Sequence, residues 1–142
     1  MGNMKCATDI KQTFTLSGIA GDSSFAPGQA VKETTEYDGV TKTYVNAGST
    51  QFFAGVAAGL PTGGGTIPTY AAGNAVQIYK NGGQAVVLLT GNVTDLTVAL
   101  KYDGTGFTPG SAGDQCSAMP LELGSSGEYI TVLLSCGMII HA

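Results

Sequence analysis

The 142-residue sequence has no arginine and no tryptophan, and its six lysines are outnumbered by ten acidic residues. Proteins that bind nucleic acid or an anionic membrane surface use clustered cations, with arginine providing paired contacts to phosphate. Here the formal net charge is −4 and only 11% of residues are charged. The composition therefore predicts that the chain binds neither nucleic acid nor membranes.

Long apolar runs are also missing. A membrane-spanning helix needs about 20 apolar residues, whereas the most apolar stretch, residues 129–140, is interrupted by Ser135. Charged residues between positions 5 and 11 break up the apolar core that a secretory signal peptide requires. We therefore expect the chain to be made and folded in a cytoplasm.

Groups that could carry out catalysis or bind metal are few. The single histidine, His141, is the penultimate residue, so a Ser–His–Asp or Cys–His site would depend on a chain terminus. The three cysteines, Cys6, Cys116 and Cys136, lack the short spacing of zinc sites and are expected to be reduced thiols. The sequence predicts no catalytic residue, no metal site and no cofactor, and hence a protein that is not an enzyme.

Alternation of apolar and polar residues is abundant, and it is typical of half-buried β-strands. It is seen at Val76 and Ile78, at Leu96, Val98 and Leu100, and at Ile130, Val132 and Leu134. No stretch shows a sustained helical period, although one helical turn is allowed over residues 118–123. The predicted fold is all-β, a compact antiparallel β-barrel or sandwich of about eight to ten short strands.

Glycine-containing turn pairs separate these runs. Asp38-Gly39, Asn81-Gly82 and Asp103-Gly104 each follow a predicted strand. Asn and Asp tolerate a positive φ and glycine adopts it without steric cost, so these pairs favour hairpin turns. The sequence therefore predicts three hairpins.

The first 26 residues have too few apolar side chains to form a core element. We assign residues 1–26 to an extended N-terminal arm and residues 27–142 to the β-barrel domain. In one interpretation the arm lies on a neighbouring subunit, with Phe14, Leu16 and Phe25 in the contact. In the other it is a frayed terminus with an edge strand over residues 12–16.

Residues 43–79 contain no charged side chain. A free domain normally exposes charge, whereas interface cores are depleted of charge and enriched in aromatic residues. This contrast predicts that Phe52, Phe53, Ile67 and Tyr70 lie in an interface. The alternative is a core strand followed by a flexible glycine-rich loop at residues 63–65.

Four phrases in the sequence occur in an order that resembles a known family. They are Pro27-Gly28-Gln29-Ala30-Val31, Phe53-Ala54-Gly55-Val56-Ala57-Ala58, Gly73-Asn74-Ala75-Val76-Gln77-Ile78, and Pro120-Leu121-Glu122-Leu123 followed by Gly127-Glu128-Tyr129-Ile130-Thr131-Val132-Leu133-Leu134. In this order and spacing they resemble the small β-barrel capsid cement, or decoration, proteins of tailed bacteriophages. Each phrase alone is common in β proteins.

The resemblance implies a structural virion protein that sits on the outer capsid surface as a homotrimer. Its partners would be the major capsid protein and further copies of itself, and it would stabilise contacts between neighbouring capsid subunits. Two alternatives stay open: a sugar-binding β module of a phage fibre, and another self-assembling β-structured shell subunit.

Overall fold

The computed structural model describes residues 15–34, 42–59 and 69–139, and these ranges hold ten strands and no helix. The strands are β1 (Thr15–Ala20), β2 (Ala30–Glu33), β3 (Thr43–Asn46), β4 (Gly55–Ala57), β5 (Ala75–Lys80), β6 (Gln84–Leu88), β7 (Leu100–Tyr102), β8 (Phe107–Pro109), β9 (Gln115–Pro120) and β10 (Tyr129–Ile139). The all-β prediction is confirmed.

The strands form two sheets. The first is a closed barrel in the order β1-β3-β2-β4-β5, antiparallel except where β1 and β3 run parallel. The second is an antiparallel five-stranded sheet in the order β6-β10-β9-β7-β8. A bridge between Leu89 and Phe107 joins the two edges of the second sheet just beyond β6. This sheet therefore curls until its edges meet.

The first two residues of β2 and the whole of β4 form a wall that is buried on both faces. In β2, Ala30 packs into the core of the second sheet and Val31 packs into the barrel interior. In β4, Val56 packs into the core of the second sheet and Ala57 into the barrel interior. Successive strand residues point to opposite faces, so two cores share this wall. The double burial explains why β4 carries no polar residue.

Gly55 is required in this wall because β4 runs very close to β5. A Cβ atom at position 55 would collide with the backbone oxygen of Tyr79 and would lie 2.7 Å from Cγ2 of Ile78. Only glycine permits this approach of the two backbones.

The two predicted turns that lie in the described residues have different outcomes. Asp103-Gly104 joins β7 to β8 as a hairpin, with a φ of 102° at Gly104. Asn81-Gly82 is a turn, with a φ of 95° at Gly82, but the strands on either side belong to different sheets. The hairpin predicted there is wrong, because the chain uses this turn to cross from the barrel to the second sheet. Asp38-Gly39 lies outside the described residues.

Two shorter predictions also differ from the structure. The alternation from Leu96 to Leu100 predicted one strand, but the strand begins only at Leu100, and Leu96 is exposed. The carboxylate of Asp95 accepts hydrogen bonds from the backbone N–H and hydroxyl of Thr97, which fixes a turn instead. The allowed helical turn at residues 118–123 is absent, because residues 118–120 belong to strand β9.

The described part of the predicted arm lies within the barrel. Strand β1 pairs with β5 from Thr15 opposite Tyr79 to Ile19 opposite Ala75. Phe25 follows β1 and belongs to the barrel core. Residues 1–14 lie outside the described residues.

Candidate functional site

Two of the seven predicted interface residues lie in the interior of the chain. Phe25 is fully buried in the barrel core, with its ring centre 5.3 Å from that of Tyr70. Phe53 is 6% exposed, and its ring meets those of Tyr102 and Phe107 edge-on at 6.1 Å. The chain itself covers both side chains.

The other predicted positions divide three ways. Tyr70 is half-buried and its hydroxyl donates to the carbonyl of Ala58 at 2.5 Å. Leu16 is half-buried in β1, whereas Phe52 is 59% exposed. Phe14 and Ile67 lie outside the described residues. Of the five described positions, only Phe52 offers a largely open apolar side chain.

A second set of exposed apolar side chains lies on the outer face of the second sheet. Leu133 of β10 is 40% exposed and stands opposite Met119 of β9. Leu121 and Leu123, which follow β9, are 46% and 57% exposed. We call these four residues the leucine face.

Strand register explains why these side chains share one side. Ile130, Val132 and Leu134 point into the core of the second sheet, so Leu133 must point outward. The backbone N–H of Leu121 donates to the carbonyl of Thr131, which extends the β9–β10 pairing beyond β9. Residues paired across antiparallel strands lie on the same face, so Leu121 lies on the face of Thr131. Thr131 and Leu133 are two residues apart in β10 and share that face.

One end of this outer surface is covered by the barrel. The backbone N–H of Leu88 donates to the carbonyl of Gly28 at 3.1 Å. The ring of Tyr129 lies so close to Gly28 that a Cβ there would come within 2.8 Å of it. The exposed part of the surface is therefore centred on Leu133 and Leu121.

The charges next to the leucine face are acidic. Glu122 accepts a hydrogen bond from the N–H of Thr131 at 3.0 Å, and Glu128 accepts one from the N–H of Ser125 at 2.6 Å. Both glutamates are exposed, and within the described residues neither forms an ion pair. Two acidic side chains therefore lie close in sequence to the leucine face, one between Leu121 and Leu123 and one in the turn before β10.

The titratable groups elsewhere serve local structure. Hydrogen bonding to Lys101 lowers the pKa of the Asp114 carboxyl, and the two side chains form an ion pair at 2.9 Å. Burial raises the pKa of Asp103, but hydrogen bonds from Thr90, Gly106 and Thr105 lower it by a larger amount. The net shift of this pKa is therefore downward. Both carboxylates are thus engaged by side chains and backbone groups of neighbouring segments.

Cys116 is a free thiol in the interior. Burial is the main reason that its pKa is raised, so the nucleophilic thiolate is disfavoured. Over the described ranges, no three His, Cys, Asp or Glu side chains come together in a way that could hold a metal ion. The same ranges contain no helix that could cross a bilayer.

An open groove of 580 Å³ at one end of the barrel bears on the alternative of a sugar-binding module. Its described lining, Ile19, Ala20, Gly21, Asp22, Thr34, Thr43, Val45 and Gly73, contains no aromatic side chain. Its one carboxylate, on Asp22, accepts hydrogen bonds from the N–H and hydroxyl of Ser24. The described part of this groove therefore lacks an aromatic platform for a sugar ring.

The leucine face was not predicted from the sequence, although a signal was present. Leu133 breaks the alternation of β10, because it is an apolar residue at an outward position between Val132 and Leu134. Leu121 and Leu123 belong to the segment at residues 120–123, which is part of the family resemblance. An apolar residue out of phase with its strand was the available clue.

No protein-family model and no curated protein sequence matches the chain. A solved structure does match: the N base of the head fiber protein gp8.5 of bacteriophage phi29. The TM-score is 0.62 at 14% sequence identity, and the match covers 91% of this chain and 99% of that one. At this identity the similarity shows a shared fold.

Proposed function

We propose that this protein is a structural component of a bacteriophage head that binds the outer surface of the shell through protein–protein contacts. The observation that carries this proposal is the leucine face, a set of exposed apolar side chains on β9 and β10 and on the segment that follows β9. Single exposed leucines are common in soluble proteins, but a contiguous apolar surface with a polar rim marks a binding site for another protein.

In the specific form of the proposal, the protein is a cement or decoration protein. It binds the major capsid protein as a homotrimer at three-fold or quasi-three-fold positions, as the sequence resemblance implies. Two of the resembling phrases, at residues 27–31 and 53–58, contribute β2 and β4, which form the wall shared by the two cores. The phrases that suggested the family therefore also build the centre of the fold, which supports the resemblance.

A second candidate is the anchoring base of a head fibre. The description of the matched structure as the base of a head fiber favours it. Both candidates require binding to the head. They differ in whether a fibre extends outward from the bound domain. Averaged images of decorated heads distinguish them, because a fibre base would continue into density beyond the two sheets.

The test is co-sedimentation of the purified protein with purified heads of the phage that encodes it. We expect Leu133→Asp to abolish binding, because an unpaired carboxylate would be buried in the contact. The matched control is Ala112→Asp, which adds the same charge at an exposed position in the loop between β8 and β9. If both variants bind heads like the parent protein, the leucine face is not the binding surface.

A further inference from the structure

The described chain begins at a position whose distance from the leucine face is limited by strand pairing. Thr15 pairs with Tyr79 at the end of β5, and residues 80–83 then lead directly into β6. The first residue of β6, Gln84, pairs with Leu133. Two strand pairings and a five-residue step therefore separate Thr15 from Leu133, which limits their Cα distance to at most about 30 Å.

The segment before Thr15 is long enough to cover this surface. Thr15 is the first described residue, and it begins β1 opposite Tyr79 near the end of β5. Fourteen residues span up to about 46 Å when extended, at roughly 3.3 Å per residue. Residues 1–14 can therefore reach the leucine face of their own molecule.

The leucine face by itself has the size of a peptide contact, whereas a folded partner such as a capsid subunit would have to bury further surface around it. Three leucines that are 40–57% exposed leave apolar surface on the order of 300 Å², within the range of the largest patch on an ordinary monomer. A stable contact between two folded subunits buries roughly 800 Å² on each partner. A short peptide can match the smaller area.

Charge also favours this segment over a second copy. Residues 1–14 carry Lys5 and Lys11 and a single acid, Asp9. Glu122 lies between Leu121 and Leu123 in sequence, Glu128 lies in the turn before β10, and neither forms an ion pair within the described residues. Two copies meeting through this face would bring their glutamates together, whereas the lysines of the segment would neutralise them.

Apolar residues in the segment are spaced so that they can enter separate pockets. Met4, Ile10 and Phe14 are divided by polar residues, a pattern that cannot form a core of its own. Next to Leu123 lies a groove of 400 Å³ lined by residues 92–94 and 123–125. The groove extends the leucine face and is large enough for one such side chain.

We propose that residues 1–14 bind the leucine face of the same chain, with their apolar side chains on Leu121, Leu123 and Leu133 and their lysines towards Glu122 and Glu128. The inference rests on the proposed function only in treating the leucine face as a binding surface. In the free protein the N-terminal segment occupies this surface, and a head that binds there displaces it.

The test measures how quickly a maleimide modifies a thiol at position 123. The full chain carries Leu123→Cys together with Cys6→Ser, and mass spectrometry follows the peptide that contains residue 123. Adding Met4→Ser and Ile10→Ser should release the segment and raise the modification rate about tenfold, which corresponds to ~1.4 kcal/mol of docking free energy. Adding Thr8→Ala and Thr13→Ala instead should leave the rate unchanged.

Two further controls identify the occupant. The thiol introduced by Ala112→Cys, on an exposed loop, should react at the same rate in all three backgrounds. Protection of residue 123 by its own chain should not change when the protein is diluted a hundredfold. Equal rates in the released and control variants would overturn the inference, and protection that is lost on dilution would assign the surface to a second copy. Neither result depends on head binding, so the proposed function is tested separately.

Discussion

The side-chain amide of Gln51 pairs with both backbone polar groups of Tyr102. Its Nε2 donates to the carbonyl of Tyr102 at 2.9 Å, and its Oε1 accepts from the N–H of Tyr102 at 2.9 Å. The same oxygen accepts from the hydroxyl of Ser117, which is fully buried in β9. β7 and β9 pair at Leu100 and Ala118. Next to this pair, the side chain of Gln51 lies between the two strands and forms the hydrogen bonds that a neighbouring strand would otherwise form.

Replacing Gln51 by leucine should therefore destabilise the protein strongly. The volume is similar, but the N–H and carbonyl of Tyr102 and the hydroxyl of Ser117 would lose their buried partner. We expect a loss of roughly 2–4 kcal/mol in the free energy of unfolding, measured by urea titration. Gln77→Leu, at an exposed position in β5, should change it by no more than about 0.5 kcal/mol. Similar losses in the two variants would contradict this role for Gln51.

Phe52 and Phe53 are neighbours in sequence, but truncating them to alanine should cost very different amounts of stability. Phe53→Ala removes a ring from the aromatic cluster with Tyr102 and Phe107 and should cost about 3–5 kcal/mol. Phe52→Ala removes a side chain that is 59% exposed and should cost within about 0.5 kcal/mol. Thermal unfolding of both variants compares them directly. A small effect at Phe53 would show that the cluster does not stabilise the fold.

Gly55→Ala should disrupt the contact between β4 and β5. The added Cβ would collide with the backbone oxygen of Tyr79, which cannot move without separating the strands. We expect a loss of at least about 2 kcal/mol, or failure to fold. Ser17→Ala, at an exposed position of β1, is the control and should be nearly neutral. A stable Gly55→Ala protein would mean that the two strands can separate at little cost.

Alkaline pH should destabilise the protein through buried tyrosines. Burial is the main reason that the pKa of Tyr102 is raised, and its hydroxyl donates to Asn46 and Gly104. The folded chain holds this proton more tightly than the unfolded chain, so stability is constant below about pH 10 and falls as the pH rises above that value.

Urea unfolding at several pH values from 8 to 11 tests the alkaline effect, because the slope of stability against pH counts the protons lost on unfolding. Tyr102→Phe should unfold at a lower urea concentration but with a shallower decline above pH 10. Burial also raises the pKa of Tyr44, so a decline should remain in that variant. An unchanged slope in Tyr102→Phe would show that this residue does not carry the effect.

Strand periodicity and turn chemistry predicted the fold class and the number of strands. They succeeded where a strand has one buried and one outward face, as in β10, and where a hairpin is closed locally, as at Asp103-Gly104. They failed at Asn81-Gly82, because a turn pair specifies the local backbone and not whether the strands beside it pair.

The proposed binding surface was harder to predict than the fold. Lack of charge in residues 43–79 led to the prediction of an interface, and this stays a prediction; the described part of the segment includes β3, β4 and most of β5, and β4 is buried on both faces. Burial between two cores of one chain removes charge from a sequence just as a contact with a partner does. Only the three-dimensional arrangement separates Phe53, which is enclosed, from Leu133, which is exposed.

The most direct test of the central claim is a cryo-EM reconstruction of purified phage heads incubated with the protein. We expect density on the outer surface that accommodates the two sheets, arranged as trimers at three-fold or quasi-three-fold positions, with the leucine face turned towards a capsid subunit. Heads that show no added density at saturating protein, in a preparation that is folded by circular dichroism, would contradict the claim that this chain is a component of the head surface.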